Sequence, residues 1–131
     1  MIKHLIIAFV LFISVSYQAQ TKKVFPPKEF YACWKASYEE NIEETKTQVF
    51  RSCTYTKFRP SMFRLEIEFF VAGKCKYLHV GASDIHYYVE GKWNYDKKTK
   101  VVTVVDEKEQ PAFKFKIKEA KKDVLKVISL N

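Results

Sequence analysis

From Phe30 to the end of the chain, apolar and polar side chains alternate with a period of two. The clearest runs are Phe63-Arg64-Leu65-Glu66-Ile67-Glu68-Phe69 and Phe113-Lys114-Phe115-Lys116-Ile117-Lys118. Successive side chains of a strand point to opposite faces, so this pattern belongs to strands with one buried face, whereas a helix needs a period near 3.6. Eight such runs follow one another: Phe30–Tyr38, Thr47–Tyr55, Ser61–Val71, Cys75–Val80, Ile85–Tyr95, Lys100–Val105, Ala112–Lys118 and Val124–Leu130. They are rich in aromatic and β-branched residues, which suit a pleated, half-buried surface. Between them lie turn formers such as Arg59-Pro60, Ala72-Gly73-Lys74, Gly81-Ala82-Ser83-Asp84, Asp96-Lys97-Lys98 and Gln110-Pro111. No window has helical periodicity, although Glu39 to Lys46 is long enough for one turn. The chain is therefore expected to be all-β. Eight strands with one apolar face remove their exposed edges by closing into an eight-stranded antiparallel up-and-down β-barrel.

The alternation also predicts the inward face. It turns Ala32, Trp34 and Ala36 inward on the first strand, Phe63, Leu65, Ile67 and Phe69 on the third, and Tyr87, Val89, Gly91, Trp93 and Tyr95 on the fifth. Phe113, Phe115 and Ile117 follow on the seventh, and Leu125 and Val127 on the last. Gly91 beside Trp93 leaves room for a ring or for close backbone approach.

The first twenty residues read differently. A short basic start at Lys3 and His4 precedes an apolar stretch from Leu5 to Val15, and small and polar residues follow to Ala19-Gln20. This is the pattern of a secretory signal peptide over residues 1–19, its apolar core too short for a comfortable membrane span. Residues 20–29, with Pro26-Pro27, form an extended leader, and residues 30–131 form one small domain of about 100 residues. The expected location is periplasmic or secreted. Losing Lys3 with the signal takes the formal charge from +8 to +7, with the lysines spread along the chain. That pattern suits solubility and admits an anionic glycan as partner, but it does not point to nucleic acid.

In an oxidising compartment, Cys33, Cys53 and Cys75 allow one bridge and one spare thiol. A hairpin around Glu39–Lys46 sets Cys33 opposite Ser52, one position from Cys53. Cys33–Cys53 is therefore the expected disulfide and Cys75 the free thiol. The spacing supports neither a zinc knuckle nor a C-x-x-C redox site.

Gly91-Lys92-Trp93, the Val-rich strand after it and the closing run from Phe115 to Leu130 together resemble the lipocalin-like (calycin-type) domains of small exported bacterial proteins. The resemblance implies an up-and-down barrel. Such domains usually carry G-x-W on the first strand, where this chain has Ala32-Cys33-Trp34. In a barrel of that type, a cation such as Arg51 would close one end by stacking on the first-strand tryptophan.

The chain has no G-x-S-x-G, no phosphate-binding glycine loop and no H-E-x-x-H, so nothing suggests an enzyme or a cofactor. A four-residue loop Gly81–Asp84 would set His79 opposite His86, close enough to share a divalent metal weakly. Apart from Asn41, the acidic run Glu39, Glu40, Glu43 and Glu44 lacks the Asp, Asn and Gly pattern of a calcium loop and reads as a solvated or lid-like loop. The aromatic load is large for a small barrel. The residues expected around a ligand are Trp34, Arg51, Phe63, Tyr87, Trp93, Phe113 and Phe115. The functional expectation is a non-enzymatic exported protein that binds a small apolar or aromatic ligand in the barrel. The alternative is a protein-interaction or envelope-structural module with a filled core.

Overall fold

The computed structural model describes residues 26–60 and 63–130. The signal peptide and most of the leader lie outside these residues. Eight strands form one closed antiparallel barrel: β1 (Cys33–Ala36), β2 (Thr47–Ser52), β3 (Glu66–Phe69), β4 (Lys74–Val80), β5 (His86–Asp96), β6 (Val101–Val105), β7 (Pro111–Ala120) and β8 (Val124–Ser129). The described residues contain no α-helix, only short 3₁₀ turns. None of their helical segments is long and apolar enough to cross a membrane.

From β3 to β8 each strand pairs with the next, as in a meander. The start of the chain departs from that order. β1 lies between β2 and β3 and pairs antiparallel with both, so β2 and β3 run the same way. The chain must therefore return along the barrel between β2 and β3, and the described residues 53–60 and 63–65 belong to that return. Its side chains grip the elements around β1. Phe58 lies under Lys35 at 5.9 Å and under Arg64 at 4.8 Å. Arg64 donates to the Ala36 carbonyl at 2.9 Å and forms a two-pronged pair with Glu39 at 2.8 and 3.1 Å. This crossover accounts for the short β3, because residues 63–65, read as strand, finish the return path.

A disulfide fixes the start of the crossover: Cys33 and Cys53 are bonded at 2.00 Å, with Cα atoms 5.4 Å apart. The expected register is off by one. Trp34, not Cys33, faces Ser52, and the Cys53 amide donates to the Cys33 carbonyl at 3.1 Å. The two cysteines thus face each other directly. Cys75 is free and buried, and burial pushes its thiol up to about 11.

The end of the barrel at the start of β1 is filled. Lys28–Phe30 forms a 3₁₀ turn in place of the predicted start of strand one, and it seats Phe30 with no exposed surface. Phe30 stacks on Phe69 at 4.1 Å and meets the Trp93 ring edge-on at 5.4 Å. Trp34 is fully buried and its indole N–H donates to the Phe30 carbonyl at 3.1 Å. Trp93 is 9% exposed and its N–H is shared between the Phe70 and Lys74 carbonyls at 3.0 and 2.7 Å. Both tryptophans therefore bury their rings without leaving a polar atom unpaired, which is what makes such large residues useful in a core. Gly91 is explained by space. A Cβ there would collide with the Val105 carbonyl and come within 3.3 Å of both Cys75 Sγ and the Tyr77 ring.

Candidate functional site

The opposite end of the barrel, where β1 ends and β2 begins, is hollow. Phe50, Phe113 and Phe115 project inward there with Leu65, Leu125 and Val127, and enclose a cavity of about 50 Å³. Phe50 faces Ala36 on one side and Leu125 on the other, which fixes its inward direction. Tyr77 packs edge-on against Phe113 at 5.1 Å and backs this wall. The cavity shares Phe50, Leu65, Phe113, Gln48 and Ser129 with a wider hollow of about 230 Å³, whose rim adds Tyr38 and Asn41. The lining thus passes from apolar rings to amides and hydroxyls. A small ligand site needs that sequence: apolar walls for affinity and a few polar groups for orientation.

The rim is anchored to the outer wall. The Asn41 side-chain oxygen accepts from the Val49 amide at 2.9 Å, and the Tyr38 hydroxyl accepts from the Leu65 amide at 3.3 Å. Glu40 accepts from Arg51 Nε at 2.8 Å and from the Ser37 hydroxyl at 2.7 Å. The hydrogen bond from Arg51 holds the Glu40 carboxyl at about 2, and the one from Arg64 does the same for Glu39. Of the two readings of the acidic loop, solvated or lid-like, the structure shows a loop pinned down by two of its carboxylates.

The expected ligand residues separate into groups. Phe113 and Phe115 line the cavity. Trp34 and Trp93 pack at the Phe30 end and are not among the residues lining the cavity. Phe63 is half-buried and meets His86 edge-on at 5.3 Å. Tyr87 was placed inward, but it sits near the tip of the β4–β5 hairpin, 48% exposed, against His79 at 5.1 Å. Arg51 is on the outer face, paired with Glu40 and over the Tyr55 ring at 5.1 Å, so it does not stack on Trp34. Alternation explains this, because Phe50 and Ser52 on either side share the inward face.

The histidine pair is a correction. His79 faces Tyr87, and His86 faces Val80. The loop has five residues, not four, closed by the Gly81 amide donating to the Ile85 carbonyl at 2.7 Å, with Ser83 and Asp84 left-handed. One added residue moves the register by one and sends the two imidazoles to opposite faces, where they cannot share an ion. In the same register Tyr77 faces Val89 on the inward side, and Tyr88 faces Leu78. Among the described residues, the single grouping of three possible metal ligands is Cys33, Cys53 and Glu66. The disulfide consumes both of its thiols.

Sequence reasoning missed Phe50, Gln48 and Ser129. The alternation Gln48-Phe50-Ser52 was the available signal. It was masked because Thr47 and Val49, on the outward face, are also buried. Residues 37–42 cover them: the Ser37 amide donates to the Val49 carbonyl, and Ile42 bridges to Thr47. Comparison with protein-family models, curated proteins and solved structures finds no match to this chain.

Proposed function

We propose that this chain is a non-enzymatic binding protein, periplasmic or secreted, that takes the apolar or aromatic end of a small ligand into the mouth of its barrel. The ring-lined cavity opening into a polar-rimmed hollow carries this reading. Its size refines the expectation. Pockets that engulf a whole small molecule hold roughly 300–1,000 Å³, so a cavity of about 50 Å³ admits one end of a ligand. The rest would lie in the outer hollow beside Gln48, Asn41 and Ser129. The disulfide and the signal-like start both suit an exported protein, and the closed eight-stranded barrel suits the lipocalin-like resemblance, while the exchanged positions of β1 and β2 do not come from it.

The test uses N-phenyl-1-naphthylamine, a neutral probe insensitive to the lysines. Its fluorescence should rise on binding, and Phe113→Trp, which fills the cavity, should abolish the rise while the protein stays folded. Unchanged binding in that variant would remove the mouth as the site. A second reading, a protein-interaction module, rests on Tyr38, Ile42 and Ile85, all 42% exposed or more on loops at the mouth end. Failure of the probe to bind wild type would favour it.

A further inference from the structure

The basic residues divide by chemistry and place. Arg51 and Arg64 are locked to glutamates beside the crossover. The other side of the barrel carries only lysines. Lys114, Lys116 and Lys118 stand outward along β7, all exposed. The Ile117 amide donates to the Lys100 carbonyl at 2.9 Å, which sets the 97–100 turn against β7, and the 121–123 turn follows that strand directly. Those turns add five more exposed lysines. Three acids lie among them. Asp123 stands exposed in the second turn, Glu119 holds Lys121 and Lys126 at 2.6 and 3.5 Å, and Asp96 is occupied with the backbone amides of its own turn. What reads along the chain as scattered lysine is, in the barrel, gathered on one face with a net positive charge.

We propose that the outward face of β7 and its two flanking turns bind a linear anionic polysaccharide. Three observations choose this partner among polyanions. The β7 lysines repeat every second residue, about 6.4–6.8 Å apart, up to a bulge at Lys118, whose ammonium donates to the Thr47 hydroxyl at 2.9 Å, and an extended chain can follow this row. Beside the row lie the half-buried Val101 and Ile128, which face Lys116, and the exposed Leu130, whose amide donates to the Lys114 carbonyl; they give little apolar surface to insert into a bilayer, and basic charge alone anchors weakly there. No exposed aromatic ring falls between Val89 and Ser129, so bases have nothing to stack on. Lysine, a flexible point charge, suits spaced carboxylates or sulfates without the bidentate fit that arginine supplies.

Titration calorimetry of the purified protein with heparin and with polyuronate tests this. Lys100→Gln/Lys116→Gln/Lys118→Gln should weaken binding roughly tenfold, the sum of three exposed charge pairs. Lys57→Gln/Lys92→Gln/Lys108→Gln removes the same charge elsewhere and should change it less than twofold. Coincident melting curves establish that the variants are folded, and Lys116→Glu alone carries the test if the triple variant is not. Equal losses in the two triples would reduce the effect to net charge and overturn the proposal. So would the absence of polysaccharide binding, or tighter binding to phosphatidylglycerol vesicles or to a single-stranded oligonucleotide.

Discussion

At the end of the barrel where β1 starts, Phe30, Trp34, Phe69 and Trp93 interlock. At the other end Phe50, Phe113 and Phe115 stand around a hollow. Both ends are aromatic, so composition does not separate them. They differ in what the chain places across the opening. Before β1, the Lys28–Phe30 turn lays a ring into the barrel, and the indole N–H of Trp34 bonds back to that turn. At the mouth, the loop after β1 is acidic, and Glu39 and Glu40 draw it onto Arg64 and Arg51 on the outer wall. A charged loop held from outside leaves the barrel open. The same eight strands thus enclose a filled end and a hollow end.

The contrast predicts a graded response to substitution. Trp93→Ala should be the most damaging, costing about 3–5 kcal/mol, as for other buried large rings, with a large fall in the melting midpoint or no folding. A variant as stable as wild type would put the ring outside the core. Removing the bridge with Cys33→Ala/Cys53→Ala should cost about 3 kcal/mol, as expected for a loop of this length. Urea titration of the variant reads it, and a loss near zero would mean that the crossover holds without its clasp.

At the mouth, Phe113→Ala should cost only about 1–2 kcal/mol, since the ring is half-buried and already borders a void, and it should enlarge the probe site. A loss matching that of Trp93→Ala would erase the distinction between the two ends. The smallest effect belongs to Glu40→Gln, no more than about 1 kcal/mol for a partly exposed pair. Its pH dependence identifies it. The folded Glu40 carboxyl sits at about 2, below its ordinary 4.5, so its contribution is full above the ordinary value and is lost as pH falls toward 2. The difference in melting midpoint between wild type and variant should be constant above pH 5 and should shrink steadily below 4.5. A difference that persists unchanged at pH 2 would show that Arg51 does not need the carboxylate.

Much of the architecture is written locally. Whether Ile67 or Glu68 faces the core is decided by their neighbours one residue away, so strand positions, most inward faces and the closed barrel are legible from period-two patterning alone. Cys33 opens β1 and Cys53 directly follows β2, two strands joined by a single hairpin, so even a register wrong by one residue left them within reach of each other. Three features were not legible, because each depends on parts of the chain distant in sequence. The place of β1 between β2 and β3 is set by barrel closure and by the crossover that Arg64 and Phe58 secure. The opposite faces of His79 and His86 follow from one extra loop residue, which alternation cannot count. The cavity exists because Phe30 fills one end and, among the described residues, no equivalent ring fills the other. A side chain's face is a local property of the backbone pleat; what it meets on that face belongs to the closed barrel.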